Sequence, residues 1–177
     1  LIIPSVIISV NAESVVVSAK SAILIDAATN EVLFSKNEHE RRGIASTTKI
    51  LTTLIALEYG EPQREFVATQ EAVKVEGTSI GLKPGDTISI KALAYAMLLE
   101  SGNDAANVTA FGISGSITGF SALMNFYAQK IGMQNSNFTN PSGLTAENHY
   151  STAYDMALLT SVEIKNPIFR KIVSTKS

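Results

Sequence analysis

The fold of this chain depends on residues 44–60, which read IASTTKILTTLIALEYG. From Lys49 to Tyr59 the apolar residues fall on more than one face of a helix, and a glycine follows at Gly60. This pattern predicts a helix that is buried on most sides and capped by the glycine. We expect it to be the central helix of the fold.

The segments around this helix predict an α+β protein. Residues 22–26 and 31–35 read as two strands of a hairpin, and residues 66–90 mix glycine, proline and short apolar runs that are typical of loops and short strands. Helical periodicity covers residues 90–98, restarts at Asp104 after a polar break, and returns in two later segments. Those segments are residues 120–131 and residues 153–165, the last ending before Pro167.

The composition excludes several classes of function. Of the 177 residues, 45% are hydrophobic and 17% are charged, which is typical of a globular protein. The net charge is −2 and the basic residues are scattered, so nucleic acid is not an expected partner. The chain has no cysteine and only two histidines, His39 and His149, which excludes disulfides, a cysteine nucleophile, and zinc-thiolate or histidine-rich metal sites. The chemistry must then use oxygen and nitrogen groups.

The first residues suggest export. Residues 1–10 are apolar but too short to span a bilayer, and Val10-Asn11-Ala12 has the small, spaced pattern that precedes a signal-peptide cleavage site. We therefore interpret residues 1–12 as the remainder of a signal peptide and residues 13–177 as the folded domain, with an extracytoplasmic location. An ordinary buried strand is the alternative interpretation of the same residues.

Two side chains at the start of the central helix could carry out nucleophilic chemistry. Ser46 and Lys49 are three residues apart, so in a helix they project from one face, one turn apart. A serine hydroxyl needs an adjacent base, and a lysine in an apolar setting can be that base because burial favours its neutral amine. The backbone N–H groups of the helix N-terminus would favour negative charge developing at Ser46.

A second polar group lies in the break at Ser101-Gly102-Asn103, between two apolar helices. Spacing alone decides nothing, because 19 serines and 10 lysines give about one Ser-x-x-Lys by chance, and the chain has one. A capping serine, a surface lysine and a turn would explain the same residues. The positions favour a site, since the hydroxyl and amide in the break can face a cleft beside Ser46.

Three longer stretches resemble the serine D-alanyl-D-alanine carboxypeptidases, which are low-molecular-mass penicillin-binding proteins. They are residues 45–50 (ASTTKI), 98–106 (LLESGNDAA), and 140–144 (NPSGL) followed by 149–157 (HYSTAYDMA). Their occurrence together and in this order is specific where the single motifs are not. The resemblance implies a bacterial protein with a penicillin-binding/β-lactamase-like fold. Such a protein acts on peptidoglycan stem peptides and is acylated by β-lactams.

Carried over by position, the resemblance implies that Ser46 is the acyl-ester nucleophile and Lys49 the proton acceptor. Ser101 is implied as the proton relay to the leaving D-alanine, and Asn103 as the group that holds the substrate amide. No metal or cofactor is implied.

One departure from the family pattern is serious: the chain has no Lys-Thr-Gly, the third family motif. We therefore expect an N-terminal portion of the domain, with the remaining sheet strands missing and an exposed sheet edge through which copies could associate. For the same reason we expect weak or absent acylation of the 177 residues alone.

Three alternatives stay open on the sequence. A β-lactamase-like hydrolase is the nearest, although the Glu-x-x-Leu-Asn pentapeptide of one β-lactamase class is absent. A non-catalytic peptidoglycan-binding module is the second. A Ser-His-Asp triad is the weakest, because we interpret both His39 and His149 as surface or capping residues.

Overall fold

The computed structural model describes residues 16–176 and begins with a strand hairpin. Strand β1 (Ala22–Ile25) pairs with the antiparallel strand β2 (Val32–Lys36). The turn between them is held by the carboxylate of Asp26, which accepts the backbone N–H groups of Ala28 and Thr29, each at 2.8 Å. The predicted hairpin is confirmed. The signal-like segment at residues 1–12 lies outside the described residues.

Helices make up most of the remaining structure. Within residues 16–176 there are a second small hairpin and six α-helices. The hairpin consists of β3 (Glu65–Val67) and β4 (Thr87–Ser89), and the helices are α1 (Thr48–Tyr59), α2 (Ile90–Leu98), α3 (Asn103–Ser114), α4 (Ile117–Ile131), α5 (Ala153–Glu163) and α6 (Pro167–Val173). The α+β class is confirmed, with the strands in two separate two-stranded sheets.

Helix α1 is the centre of the molecule, as predicted. It packs against α2, α3, α4 and α5, and eight of its residues, from Thr48 to Ala56, are buried. Its apolar side chains join two clusters, one shared with α2, α3 and β3 and one shared with α4 and α5. Each fully buried leucine or isoleucine contributes about 1.5–3 kcal/mol to folding, so α1 is held firmly from several sides.

The ends of two helices differ from the prediction. Gly60 follows α1 in an extended conformation (φ −174°, ψ −178°), so it ends the helix without the left-handed cap that we expected. Helix α6 differs from the sequence prediction, in which Pro167 ends the helical structure. In the fold Pro167 is its first residue, and the side chain of Asn166 accepts the N–H groups of Ile168 and Phe169. Proline is well tolerated there, since the first helical N–H has no partner within the helix.

The start of α5 matches the prediction. The hydroxyl of Thr152 accepts the backbone N–H of Asp155 at 3.1 Å, which is the N-terminal half of a capping box.

Among residues 16–176, no helix combines the length and the apolar character needed to cross a lipid bilayer.

Candidate active site

Ser46 lies in a short 3₁₀ turn, Ala45–Thr47, which runs directly into α1. The residue before it, Ala45, has a φ of +46°. This left-handed conformation is uncommon for a residue with a side chain and costs about 1–3 kcal/mol. The strained turn places Ser46 at the surface, at the N-terminal end of a buried helix.

Lys49 lies one turn further along and is buried, with 1% of its surface exposed. Its Nζ donates to the Oγ of Ser46 at 3.3 Å, to the Oγ of Ser101 at 3.4 Å and to the carbonyl oxygen of Ser142 at 2.7 Å. All three partners are uncharged. Within residues 16–176 no carboxylate forms a salt bridge with Lys49.

This environment changes the acidity of the amine. Burial penalises the charged ammonium and lowers the pKa of Lys49 from 10.5 to about 8. About a tenth of the amine is then neutral at pH 7, against less than a thousandth for an ordinary lysine, so Lys49 is equipped to accept a proton.

Ser101 occupies the break between α2 and α3, in a left-handed conformation with φ +56°. Its Oγ donates to the Oγ of Ser46 at 2.9 Å. Two serine hydroxyls and one lysine amine from separate parts of the chain therefore lie within hydrogen-bond distance of one another.

Asn103 is the first residue of α3 and is almost fully buried. Its Nδ2 donates to the carbonyl of Glu76 at 2.7 Å, and its backbone N–H donates to the carbonyl of Thr78 at 2.8 Å. The Cα of Gly77 is so near that a Cβ there would lie 3.1 Å from Nδ2. Residues 76–78 thus lie against Asn103 and fix its side chain.

Asp104 holds the next part of that loop. Its carboxylate accepts the hydroxyl of Ser79 at 2.6 Å and the backbone N–H groups of Ile80 and Leu82 at 3.1 and 3.0 Å. Burial alone would raise the pKa of Asp104, but these hydrogen bonds outweigh it and keep the pKa below 3.8. The sequence predicts only loops and short strands in residues 66–90, whereas in the structure residues 76–82 hold the start of α3.

The backbone carbonyl of Ser142 is a part of the site that the sequence analysis missed. Residues 140–143 lie across the start of α1, where Gly143 has φ +87° and a Cβ on it would lie 1.8 Å from the carbonyl oxygen of Ala45. Only glycine can make this approach. The motif at residues 140–144 pointed to this loop, but no side-chain pattern predicts which backbone carbonyl faces a lysine.

His149 corrects our interpretation of the histidines as surface residues. It is 7% exposed, and its Nε2 lies 2.9 Å from the Oγ1 of Thr48. Burial lowers the pKa of its imidazole. By contrast, the side chain of His39 is 60% exposed. The hydrogen-bond partners of His149 do not include Ser46, so the structure gives no support to a Ser-His-Asp triad.

A cavity of about 340 Å³ opens beside Ser46. Side chains from α1, α2 and α6 line it, including Met97, Leu98, Phe169 and Val173. The arrangement can support attack of a serine oxygen on a carbonyl, with an amine to take the proton and a second hydroxyl to pass it on. No set of three side chains suited to a metal ion occurs in the described range.

Comparison with known proteins identifies the fold. The chain superimposes on penicillin-binding protein 6B from Escherichia coli with a TM-score of 0.87 at 31% identity, covering 94% of this chain and 56% of that one. It superimposes on the D-alanyl-D-alanine carboxypeptidase DacD from Francisella tularensis with a TM-score of 0.84 at 34% identity, covering 96% and 41%. The fold is therefore that of the penicillin-binding proteins.

The family follows from the sequence. The D-alanyl-D-alanine carboxypeptidase model matches residues 8–177, and the chain belongs to that family of serine peptidases. It is 41% identical over 162 residues to the D-alanyl-D-alanine carboxypeptidase DacF of Bacillus subtilis, covering 89% of this chain and 42% of the relative. The chain thus spans between 38% and 55% of the length of the curated relatives compared with it.

Proposed function

We propose that the protein is a serine D-alanyl-D-alanine carboxypeptidase, with residues 13–177 as part of its acyl-transfer domain and residues 1–12 as the remainder of a signal peptide. The observation that carries the proposal is the cluster of Ser46, Lys49 and Ser101, in which the lysine is buried and its pKa is lowered to about 8. The substrate is a peptidoglycan stem peptide ending in D-alanyl-D-alanine. The reaction takes place outside the cytoplasm and uses no cofactor.

In the first half-reaction, the Oγ of Ser46 attacks the carbonyl carbon of the penultimate D-alanine and its proton passes to the Nζ of Lys49. The C–N bond to the terminal D-alanine then breaks. Lys49 gives up the proton, and Ser101 relays a proton to the leaving nitrogen. The 3.4 Å contact between the Nζ of Lys49 and the Oγ of Ser101 supports this relay, and the 2.9 Å contact between the two hydroxyls keeps Ser101 beside the reacting carbon. Water then hydrolyses the acyl-enzyme and restores Ser46.

Asn103 is proposed to hold the substrate amide. One N–H of its side chain is already bonded to the carbonyl of Glu76. A primary amide has a second N–H and a carbonyl oxygen, and these remain for the substrate. The contact with Glu76 fixes the plane of the amide and so pre-orients it.

β-Lactams are proposed as acylating inhibitors, because they present a reactive amide carbonyl to the same hydroxyl.

Association of copies through the hairpin edge is a further proposal. It is supported by Leu24 and Leu33 of that hairpin, which are 56% and 59% exposed.

The test compares the protein at the full length that its source encodes with its Ser46→Ala variant. We expect the parent to release D-alanine from a D-alanyl-D-alanine peptide and to be labelled by a fluorescent penicillin, and the variant to do neither. The matched control is Ser35→Ala, an exposed serine on β2. Equal labelling of the parent and Ser46→Ala would falsify the assignment of the nucleophile.

The same experiment separates the alternatives. A β-lactamase-like enzyme would release the penicilloyl group rapidly and would spare the peptide. A peptidoglycan-binding module would bind the peptide equally with and without Ser46. Weak labelling of the 177-residue chain alone stays a prediction, measured beside the full-length protein.

A further inference from the structure

His149 belongs to the segment that precedes α5 and lies between the start of α1 and residues 139–143. Nothing in the proposed reaction uses it. Its ring is buried and stands edge-on to Phe138, with centroids 5.8 Å apart. Both ring nitrogens are engaged. Nδ1 faces the backbone N–H of Thr139 at 3.1 Å, and Nε2 faces the hydroxyl of Thr48 at 2.9 Å.

These contacts define the tautomer of the ring. A backbone N–H can only donate, so Nδ1 of His149 accepts from Thr139 and carries no proton. In the neutral imidazole Nε2 then carries the proton, and it donates to the Oγ1 of Thr48. The hydroxyl of Thr139 at 3.3 Å and the amide of Asn140 at 3.5 Å also face Nδ1.

The two ends of this bridge are parts of the candidate active site. Thr48 immediately precedes Lys49 in α1, and Thr139 begins the loop whose Ser142 carbonyl accepts the amine of Lys49 at 2.7 Å. Thr52, one turn along α1, donates to the carbonyl of Pro141 at 2.7 Å. The loop is thus bonded directly to Lys49 and Thr52, and through His149 it is joined to Thr48, which lies two residues after Ser46.

We propose that His149 is a positioning residue that holds residues 139–143 against α1 and so keeps the amine of Lys49 desolvated and directed at Ser46. The role in catalysis rests on the proposed function, whereas the effect on Lys49 does not. His149 acts through its Nε2–H donor. Without that donor the loop separates from Thr48 and water reaches the amine.

The groups that face the two titrating side chains are uncharged. His149 contacts the hydroxyls of Thr48 and Thr139, the amide of Asn140 and the ring of Phe138. Lys49 contacts two serine hydroxyls and a carbonyl. From α3, which packs against α1, the nearest carboxylate in sequence to the site is Asp104, and it is bound to residues 79–82. His149 therefore acts on the Lys49 amine through its access to water and not through a charge.

The test uses two amide variants of the full-length protein. In His149→Gln the side-chain amide reaches the position of Nε2 and can still donate to Thr48. In His149→Asn the shorter amide replaces Nδ1, accepts from Thr139 and does not reach Thr48. His39→Asn is the matched control at an exposed histidine. The readouts are the pKa of the Lys49 amine by NMR and the rate of penicillin acylation against pH.

We expect His149→Asn to raise the pKa of Lys49 from about 8 toward its ordinary 10.5. Each unit of increase lowers acylation at pH 7 about tenfold and moves the acidic limb of the pH profile upward by one unit. His149→Gln should stay within about threefold of the parent, and His39→Asn should match it. A purely structural defect would lower the acylation rate at every pH without moving the acidic limb of the pH profile.

Thr48→Val removes the acceptor of the same hydrogen bond. It tests the same prediction for the pKa of Lys49 if His149→Asn does not fold. An unchanged pKa of Lys49 in a folded His149→Asn or Thr48→Val variant overturns the inference. If the parent is not acylated but the pKa of Lys49 still responds to these variants, the proposed function fails and the positioning role stands.

Discussion

At the scale of single residues, burial favours the neutral amine of Lys49 over the charged ammonium. The amine is 1% exposed and has no acidic partner within the described residues, so desolvation is the cause of its lowered pKa. An adjacent carboxylate would have had the opposite effect and kept the ammonium charged. Lys49 has no ion pair within residues 16–176, and in the proposed mechanism this is what lets its amine accept the proton of Ser46.

This chemistry predicts how acylation depends on pH. The active form is the neutral amine, so the rate should fall about tenfold for each pH unit below 8 and level off above 8. Stopped-flow acylation by a chromogenic β-lactam between pH 5.5 and 9.5 measures this limb. Lys49→Arg should abolish acylation at every pH, because a guanidinium stays protonated. A rate that is flat from pH 6 to 9 would contradict the role of Lys49.

At the scale of the elements, the site exists because a loop fits closely against the start of α1. Gly143 allows the carbonyl of Ala45 to approach its Cα, and the neighbouring Ser142 then points its carbonyl at Lys49. The packing of this loop and the direction of the amine are therefore coupled.

Gly143→Ala tests this coupling. The new Cβ would overlap the carbonyl oxygen of Ala45, so we expect the free energy of unfolding to fall by about 3 kcal/mol or more. Gly81→Ala is the control, because Gly81 also has a positive φ, +82°, but has open space at its Cβ position. That variant should lose only about 1 kcal/mol. Urea unfolding measures both, and equal losses would contradict the close approach.

The start of α3 gives a second prediction at this scale. Asp104 accepts hydrogen bonds from the backbone of Ile80 and Leu82, and Asp104→Asn replaces one carboxylate oxygen by an amide that cannot accept. We expect faster amide hydrogen exchange at residues 79–82 and a loss of about 2 kcal/mol in unfolding free energy.

The controls for Asp104 are a variant and a change of pH. Asp86→Asn alters an exposed carboxylate that caps a turn at Lys83, and it should leave exchange at residues 79–82 unchanged. The pKa of Asp104 is lowered in the folded state. The carboxylate of Asp104 should therefore contribute its full stabilisation above about pH 5, and this stabilisation should be lost as the pH falls through 3.8 and below.

At the scale of the whole molecule, Glu163 couples stability to pH. It is fully buried on α5, and neither carboxyl oxygen has a hydrogen-bond partner within residues 16–176. Burial, together with the charge of Glu58, raises the pKa of Glu163 from 4.5 to about 8. Between these values the folded protein keeps a proton that the unfolded chain has lost, so stability falls as the pH rises from 5 to 8.

Glu163→Leu should remove that slope and raise the free energy of unfolding at pH 7.5 by about 2 kcal/mol. Glu163→Gln should remove the slope with a smaller gain, because a polar amide stays buried. Urea unfolding of each variant and the parent at pH 5.5 and 8 isolates the effect, since other titrating groups cancel in the difference. If the difference in unfolding free energy between the parent and Glu163→Leu is the same at both pH values, the pKa of Glu163 is not raised by burial.

Much of the fold could be predicted because its signals are local. Helical periodicity predicted α1 to α5 within a few residues, and the two strand-like runs on either side of residues 27–30 predicted the β1–β2 hairpin. Helix α6 could have been predicted from Asn166-Pro167, a favourable cap followed by a favourable first residue. Gly60 shows the limit of such signals, since the direction of the chain after α1 depends on packing.

The sequence by itself determined the α+β class, the helix that carries Ser46 and Lys49, and the family whose motifs it shares. Only the tertiary structure decided that Lys49 is buried, that Ser101 and the Ser142 carbonyl meet it, and that His149 joins the loop to α1. The physical reason is distance along the chain. Local propensities set helices and turns, whereas the solvation of an amine and the choice of a backbone acceptor depend on segments 52 and 93 residues away.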